Sequence, residues 1–348
     1  MKQAFDKYKN TNYNIKSIKG FDIMERELVS KNKNTVLNEI ELNEYLSCLD
    51  NFYIEYLKLL NINKNYTFGV EIEYKDIYEY IVKKFVKKEF QNWDSAFELN
   101  IQVGGEVRSP ILTDKVKYWK ELKEICNFIK ENKASMDTGG HIHIGTQILG
   151  NSINSWKNFI YLYTIFEDVI YHFSNGDIIN GRISQTTCAG PMAIDLAKNY
   201  DFIKNSDFDD LLLYLKKLDR FKGVNFRNID IENLNKFKDR NTIEFRMPNG
   251  TYKKEIWQNN IYFFIKFLET SKKDFDQDLI DFNINKIANL ENYYDYYKLN
   301  YNKAIKLADL IFDNNYDKAR FLKQYVKDGR EIMNGEELIK STKKLIKN

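Results

Sequence analysis

Proline, cysteine and histidine each occur only three times in 348 residues, and glycine fifteen times. Cys48, Cys126 and Cys188 lie far apart and form no CxxC pair, so neither a cysteine zinc site nor a disulfide framework organises this chain. Cys126 falls on the apolar side of an expected helix and reads as a buried, inert thiol. An excess of one charge is also lacking: 53 Lys+Arg against 50 Asp+Glu leave a net +3. Phosphate neutralisation calls for a larger or more clustered basic excess, so no nucleic-acid partner is expected. No apolar run approaches the ~18 residues of a membrane span, and MKQAFDKYKN at the start contains no apolar signal core. The expectation is a cytoplasmic protein without a membrane partner. Three nucleotide and hydrolase signatures are missing as well: GxxxxGK[ST], a GxGxxG after a strand, and a GxSxG elbow. A nucleotide, if bound, must then be held by metals and by Arg or Lys side chains.

What is present is a globular composition, with 43% hydrophobic and 30% charged residues, long enough for one large domain or two ordinary ones. Abundant Lys, Asn, Ile and Tyr point to an AT-rich genome, of a phage or a low-GC bacterium. The few prolines all fall between residues 110 and 248, together with the doublets Gly104–Gly105 and Gly139–Gly140. Irregular backbone, and with it any site, is therefore expected in the middle of the chain. Apolar spacing predicts helices over 37–60, 77–90, 115–131, 155–173, 207–220 and 255–270, and a helical tail over 275–348. Alternation predicts strands over 66–74, within 97–112, and over 141–145, 222–229 and 241–248. The strands are not Val/Ile-rich and βαβ spacing is missing. The reading is α+β with a mostly antiparallel sheet. It divides into an N-terminal helical extension (1–65), a central domain (66–270) and a C-terminal helical segment (271–348).

The informative feature is a set of polar pairs at i, i+2 inside strands, where both side chains share one face roughly 6–7 Å apart. Glu71 and Glu73 alternate with Val70 and Ile72, His141 and His143 with Ile142 and Ile144, Glu244 and Arg246 with Ile243 and Phe245. A solvated outer sheet face explains any one pair. Three pairs are harder to explain this way, because two of the three histidines share one strand face. The third, His172, lies on the helix 155–173 and reads as a packing or surface residue. Asp94 and Glu106 add two further acids close by in sequence. Five carboxylates with one or two imidazoles favour Mg²⁺ or Mn²⁺ over Zn²⁺, and bound divalent cations relieve the repulsion among them.

In order and spacing, FGVEIEY, GGEVRSPIL, TGGHIHIG, KGVNFRNI and NTIEFRMPNGT resemble the amidoligase family, over roughly residues 66–270. That family is grouped with glutamine synthetase and gamma-glutamylcysteine synthetase as carboxylate–amine ligases. The resemblance implies a curved, mainly antiparallel sheet whose concave face holds ATP and divalent ions. It also implies an amide or isopeptide bond formed between a carboxylate and an amine through an acyl phosphate. By position it implies metal ligation by Glu71, Glu73, Asp94, Glu106, His141, His143 and Glu244. Arg246 would face the transferred phosphate, with Arg182 and Glu106 as further catalytic groups and Asn225 beside the nucleotide. Two departures stand out. Thr138 precedes Gly139 where the family often has Cys, and Arg108 replaces an apolar residue. Arg108 adds a cation that reads as a contact to nucleotide or substrate carboxylate, or as an outward-facing side chain.

Two rival classes stay open at this level. A metal-dependent hydrolase built on the HxH strand would turn over without ATP, and a non-catalytic binding or structural protein would keep only the scaffold. Sequence names neither the carboxylate nor the amine, neither the general base nor the oligomeric state.

Overall fold

Phe68–Lys75 (β1) buries every second residue, Phe68, Val70, Ile72 and Tyr74, and leaves the glutamates between them facing the other way. β1 is an inner strand of the sheet, paired with a neighbour on each side. The computed structural model describes Leu49 and residues 52–175, 186–234, 241–293 and 300–326. After β1 come α1 (Glu79–Glu89), β2 (Asp94–Ala96), β3 (Gly104–Arg108), α2 (Val116–Glu131), β4 (Gly140–Gly145) and α3 (Ile153–Asn175). Four short helices follow, α4 (Thr186–Ala189), α5 (Ala193–Lys198), α6 (Tyr200–Asn205) and α7 (Phe208–Lys217). The chain then forms β5 (Val224–Asn225), β6 (Thr242–Phe245), α8 (Lys254–Thr270), α9 (Gln277–Ala288), α10 (Tyr301–Ile311) and α11 (Asn315–Tyr325).

The six strands form one antiparallel sheet in the order β2-β3-β1-β4-β6-β5. Its inner face is Val70, Ile72, Val107, Ile142, Ile144, Val224, Ile243 and Phe245, all essentially shut off from water. Helices cover that face. Phe245 stacks on Phe264 of α8 at 4.0 Å between ring centroids and meets Phe159 of α3 edge-on, while Phe68 stacks on Trp119 of α2. Burying each such side chain is worth about 2 kcal/mol. A one-residue slip would turn these residues to water and drive the carboxylates into the core, so the register is strongly specified. Gly140 is required where α8 passes beneath β4, because a Cβ there would lie 2.5 Å from the Trp257 ring. Gly104 is required at the β3 entry, where a Cβ would lie 2.1 Å from the Tyr74 carbonyl oxygen.

The α+β architecture with an antiparallel sheet is as the sequence suggests, and the expected helices over 77–90, 115–131, 155–173, 207–220 and 255–270 are present with small changes at their ends. The helix expected over 37–60 does not extend to its expected end: Leu49 is helical, 37–48 and 50–51 lie outside the described residues, and 52–60 run without regular secondary structure. There the backbone bonds go to distant side chains instead of the next turn. Leu57 exchanges hydrogen bonds with the Gln258 amide, and the N–H groups of Leu60 and Ile62 both donate to Asp114. The strand expected over 222–229 shrinks to two residues, because the Asn225 side chain accepts from the Arg227 N–H and turns the chain. In the tail, α9, α10 and α11 bear out helical structure as far as residue 325. Among the described residues no helix is long and apolar enough to cross a membrane.

Candidate active site

The ladder brings three polar pairs together. Glu71 stands opposite His141 on one side and Arg108 on the other, Glu73 opposite Glu106, and His143 opposite Glu244, which in turn faces Asn225. Residues directly opposite in neighbouring strands share a face. The outer face of β3, β1, β4 and β6 is therefore one continuous acidic and imidazole-bearing surface, with Glu106, His141 and Glu244 buried at its floor.

The contacts are close. His141 Nδ1 lies 2.7 Å from Glu71 Oε2 and 3.6 Å from Glu244 Oε1, and His141 Nε2 lies 3.3 Å from Glu73 Oε1. His143 Nε2 is 3.2 Å from Glu71 Oε1, and its Nδ1 is 3.2 Å from the Thr242 hydroxyl. Asn225 donates to Glu244 at 2.6 Å, and the Arg246 guanidinium pairs with the same carboxylate. Arg246 Nε also donates to the Cys188 carbonyl at 3.1 Å, and its backbone N–H to Gly223. At the far end of the site Gly139 N–H donates to Glu73 Oε2 at 2.7 Å, and the Thr138 hydroxyl to the Glu73 carbonyl. Arg108 pairs with Glu106.

The electrostatics follow. Burial alone would raise Glu71, but hydrogen bonds and charge from His141 and His143 outweigh it and hold its carboxyl far below the usual range. Burial also opposes ionisation of Glu244, and His141, His143 and Arg246 overcome it, so its pKa is lowered. Burial would lower His143, yet Glu71 and Glu244 push it up. Glu106 is raised by burial and by the Glu71 charge, which Arg108 offsets only in part. Without a cation this face is held by imidazoles and guanidiniums, and one carboxyl in it resists ionising.

Glu71, Glu73, Glu106, His141, His143, Glu244, Arg246, Asn225 and Arg108 all come to this face. Asp94 does not join the cluster. It lies exposed on the edge strand β2, paired with Arg108 and two strands from Glu71, or about 10 Å. Arg182 lies outside the described residues. His172 is buried against the Tyr325 ring, as a packing residue would be. Sequence reasoning missed the Gly139 N–H, for which the TGG preceding HIHIG was a usable signal. It also missed the Cys188 carbonyl, because a backbone acceptor carries no side-chain signature.

A model of the putative amidoligase enzyme family matches residues 78–268, more than half of the chain. The chain belongs to this family. The match begins after β1, so Glu71 and Glu73 enter the site through the ladder geometry and not through the matched region. No curated protein matches the chain.

The donor set fits divalent cations. Two groups, Glu71–His143–Glu244 and Glu71–Glu106–His141, each offer ligand atoms within 4.8 Å of one another, and Glu71 belongs to both. The buried Nε2 atoms of His141 and His143 have carboxylate oxygens nearby but make no well-aligned hydrogen bond. Buried ring nitrogens in that state are suited to a metal. Four carboxylates and two imidazoles suit Mg²⁺ or Mn²⁺.

Proposed function

We propose that this protein is an ATP-dependent carboxylate–amine ligase whose site is the polar face of β3, β1, β4 and β6. The observation that carries the reading is the pairing of Arg246 with Glu244 beside two candidate metal triads that share Glu71. Glu71, Glu106, His141, His143 and Glu244 would hold the cations, with Glu73 beside them. Bound there, the cations would supply charge neutralisation for phosphate oxygens. Arg246 presents donors at the β6 side of that row, held by the Cys188 carbonyl so that its fork does not have to reorganise.

The chemistry proposed has two steps. An oxygen of the substrate carboxylate displaces ADP from the γ-phosphorus of ATP, giving an acyl phosphate. An amine then attacks the acyl carbon, the C–O bond to phosphate breaks, and an amide and inorganic phosphate leave once the amine has lost its proton. The first step depends on alignment and charge stabilisation, which Arg246 and the cation ligands are placed to provide. A metal-dependent hydrolase remains distinguishable because it needs no ATP. The test has two parts: Mn²⁺ binding followed by electron paramagnetic resonance, and phosphate release from ATP over a panel of carboxylates and amines. Glu71→Gln removes the ligand common to both triads and is expected to weaken Mn²⁺ binding at both positions by tenfold or more. Two unaltered sites in Glu71→Gln, or turnover without ATP, would reject the reading.

A further inference from the structure

Arg108 sits at the β3 end of the site and Arg246 at the β6 end, on the same sheet face. Three strand spacings, about 14 Å, separate β3 from β6, and the glutamates and histidines lie between. Arg246 is largely enclosed, with 17% of its side chain exposed, whereas Arg108 is 51% exposed. Arg108 uses one edge, Nε, on Glu106. Among the described residues its two terminal nitrogens have no partner, which leaves four N–H donors directed away from that bond. It stands directly opposite Glu71, the shared ligand of both candidate triads, so its guanidinium borders the cation row itself.

We propose that Arg108 is the contact for the substrate carboxylate, receiving it at the β3 side of the cation row while Arg246 meets phosphate at the β6 side. The chemistry of the surroundings selects a carboxylate. Asp94 and Glu71 flank Arg108 across both ladders, so a polyanion there meets repulsion on two sides. A planar monoanion needs only two parallel N–H donors, which the unused end of the guanidinium supplies. Glu106, buried and a member of one candidate triad, is the group that a cation would draw away from Arg108, releasing the whole fork for substrate. The ligase reading is what gives the bound carboxylate its purpose; the binding itself can be measured separately.

The experiment titrates the full chain with acetate, glutarate and N-acetylalanine and with the matching neutral amides, read by ligand-observed nuclear magnetic resonance. It is run with Mg²⁺ alone and with Mg²⁺ plus a non-hydrolysable ATP analogue. The expected result is at least tenfold preference for a carboxylate over its amide in the wild type. In Arg108→Gln that preference falls to near unity, and in Arg108→Lys, which keeps the charge but not the fork, it is partly retained. A carboxylate preference that survives Arg108→Gln overturns the assignment, as does a wild type without any preference. Loss of circular-dichroism signal in Arg108→Gln would transfer the decision to Arg108→Lys, where undiminished preference counts against the fork. Failure to bind the ATP analogue with carboxylate preference intact would reject the ligase reading and leave the Arg108 assignment standing.

Discussion

Two segments of this sheet carry the same pattern, Glu106-Val-Arg108 on β3 and Glu244-Phe-Arg246 at the end of β6, and treat it differently. In each, a buried glutamate pairs with the arginine two residues later on the same face. Arg246 is also tied to the Cys188 carbonyl, and its glutamate receives the Asn225 amide. Among the described residues Arg108 makes its hydrogen bond to Glu106 alone, and it is half open to water. The difference lies in what packs above the strand, and it separates a guanidinium held in one place from one free to change partners.

The largest expected effect breaks the comparison at its fixed end. Arg246→Lys keeps the fold, because Ile243 and Phe245 carry the core face, but it loses the planar fork. Substrate-dependent phosphate release is expected to fall on the order of 10²-fold or more, the scale of removing one preorganised charge contact. Near-equal rates in wild type and variant would remove Arg246 from the mechanism.

This contrast also marks the limit of what was legible in the sequence. The face that each of Glu71, Glu73, His141, His143, Glu244 and Arg246 takes was legible, since a period of two fixes it once the alternate residues are apolar. The helices were legible wherever their apolar residues recur along one stripe. Three kinds of feature were not. The segment 52–60 takes its backbone partners from Gln258 and Asp114, far away in the chain, so local spacing gave the wrong element. Strand neighbourhood was the second: Asp94 reads as one more ligand until β2 proves to be the edge, with β3 between it and Glu71. The anchoring of Arg246 was invisible for a third reason. It rests on a carbonyl in the segment 188–193 and on Glu167, which in sequence looks like a stray acid in an aromatic-rich helix.

Glu167 supplies the next test of that anchored end. Its carboxylate is fully buried in α3 and accepts from the N–H groups of Met192 and Ala193, just beyond Cys188. Burial raises its pKa to about 7, only partly offset by those N–H groups. The folded value lies above the unfolded one, so this contribution to stability is full below the unfolded carboxylate pKa and is lost as pH rises through about 7. The loss amounts to about 3 kcal/mol, at ~1.4 kcal/mol per pKa unit. Glu167→Gln cannot titrate. Denaturant unfolding should show wild type and variant similar near pH 4, with the variant more stable by up to about 3 kcal/mol at pH 8. Parallel pH profiles would show that Glu167 does not carry this cost.

The smallest expected effect sharpens the comparison itself, because it asks both arginines the same question in the metal-free protein. Arg246→Gln removes one donor from Glu244 and one from the Cys188 carbonyl in a largely closed place. An unsatisfied buried acceptor costs about 1–3 kcal/mol, and Asn225 retains one bond to Glu244, so about 2 kcal/mol is expected. Arg108→Gln should cost less than about 1 kcal/mol, since a pair with one partner half in water is worth little. Burial and the Glu71 charge also raise the pKa of Glu106, so protonation relieves the loss of its arginine more readily than it does for Glu244. That argument carries a pH signature: the small cost in Arg108→Gln should shrink further as pH is lowered, while the cost in Arg246→Gln, whose Glu244 has a lowered pKa, should persist further down the pH scale. Urea unfolding of the two variants at neutral and mildly acidic pH measures both. Equal losses, or a loss in Arg108→Gln that grows in acid, would mean that the two Glu-x-Arg pairs are held alike, and the division into a fixed and an adjustable arginine would fall with them.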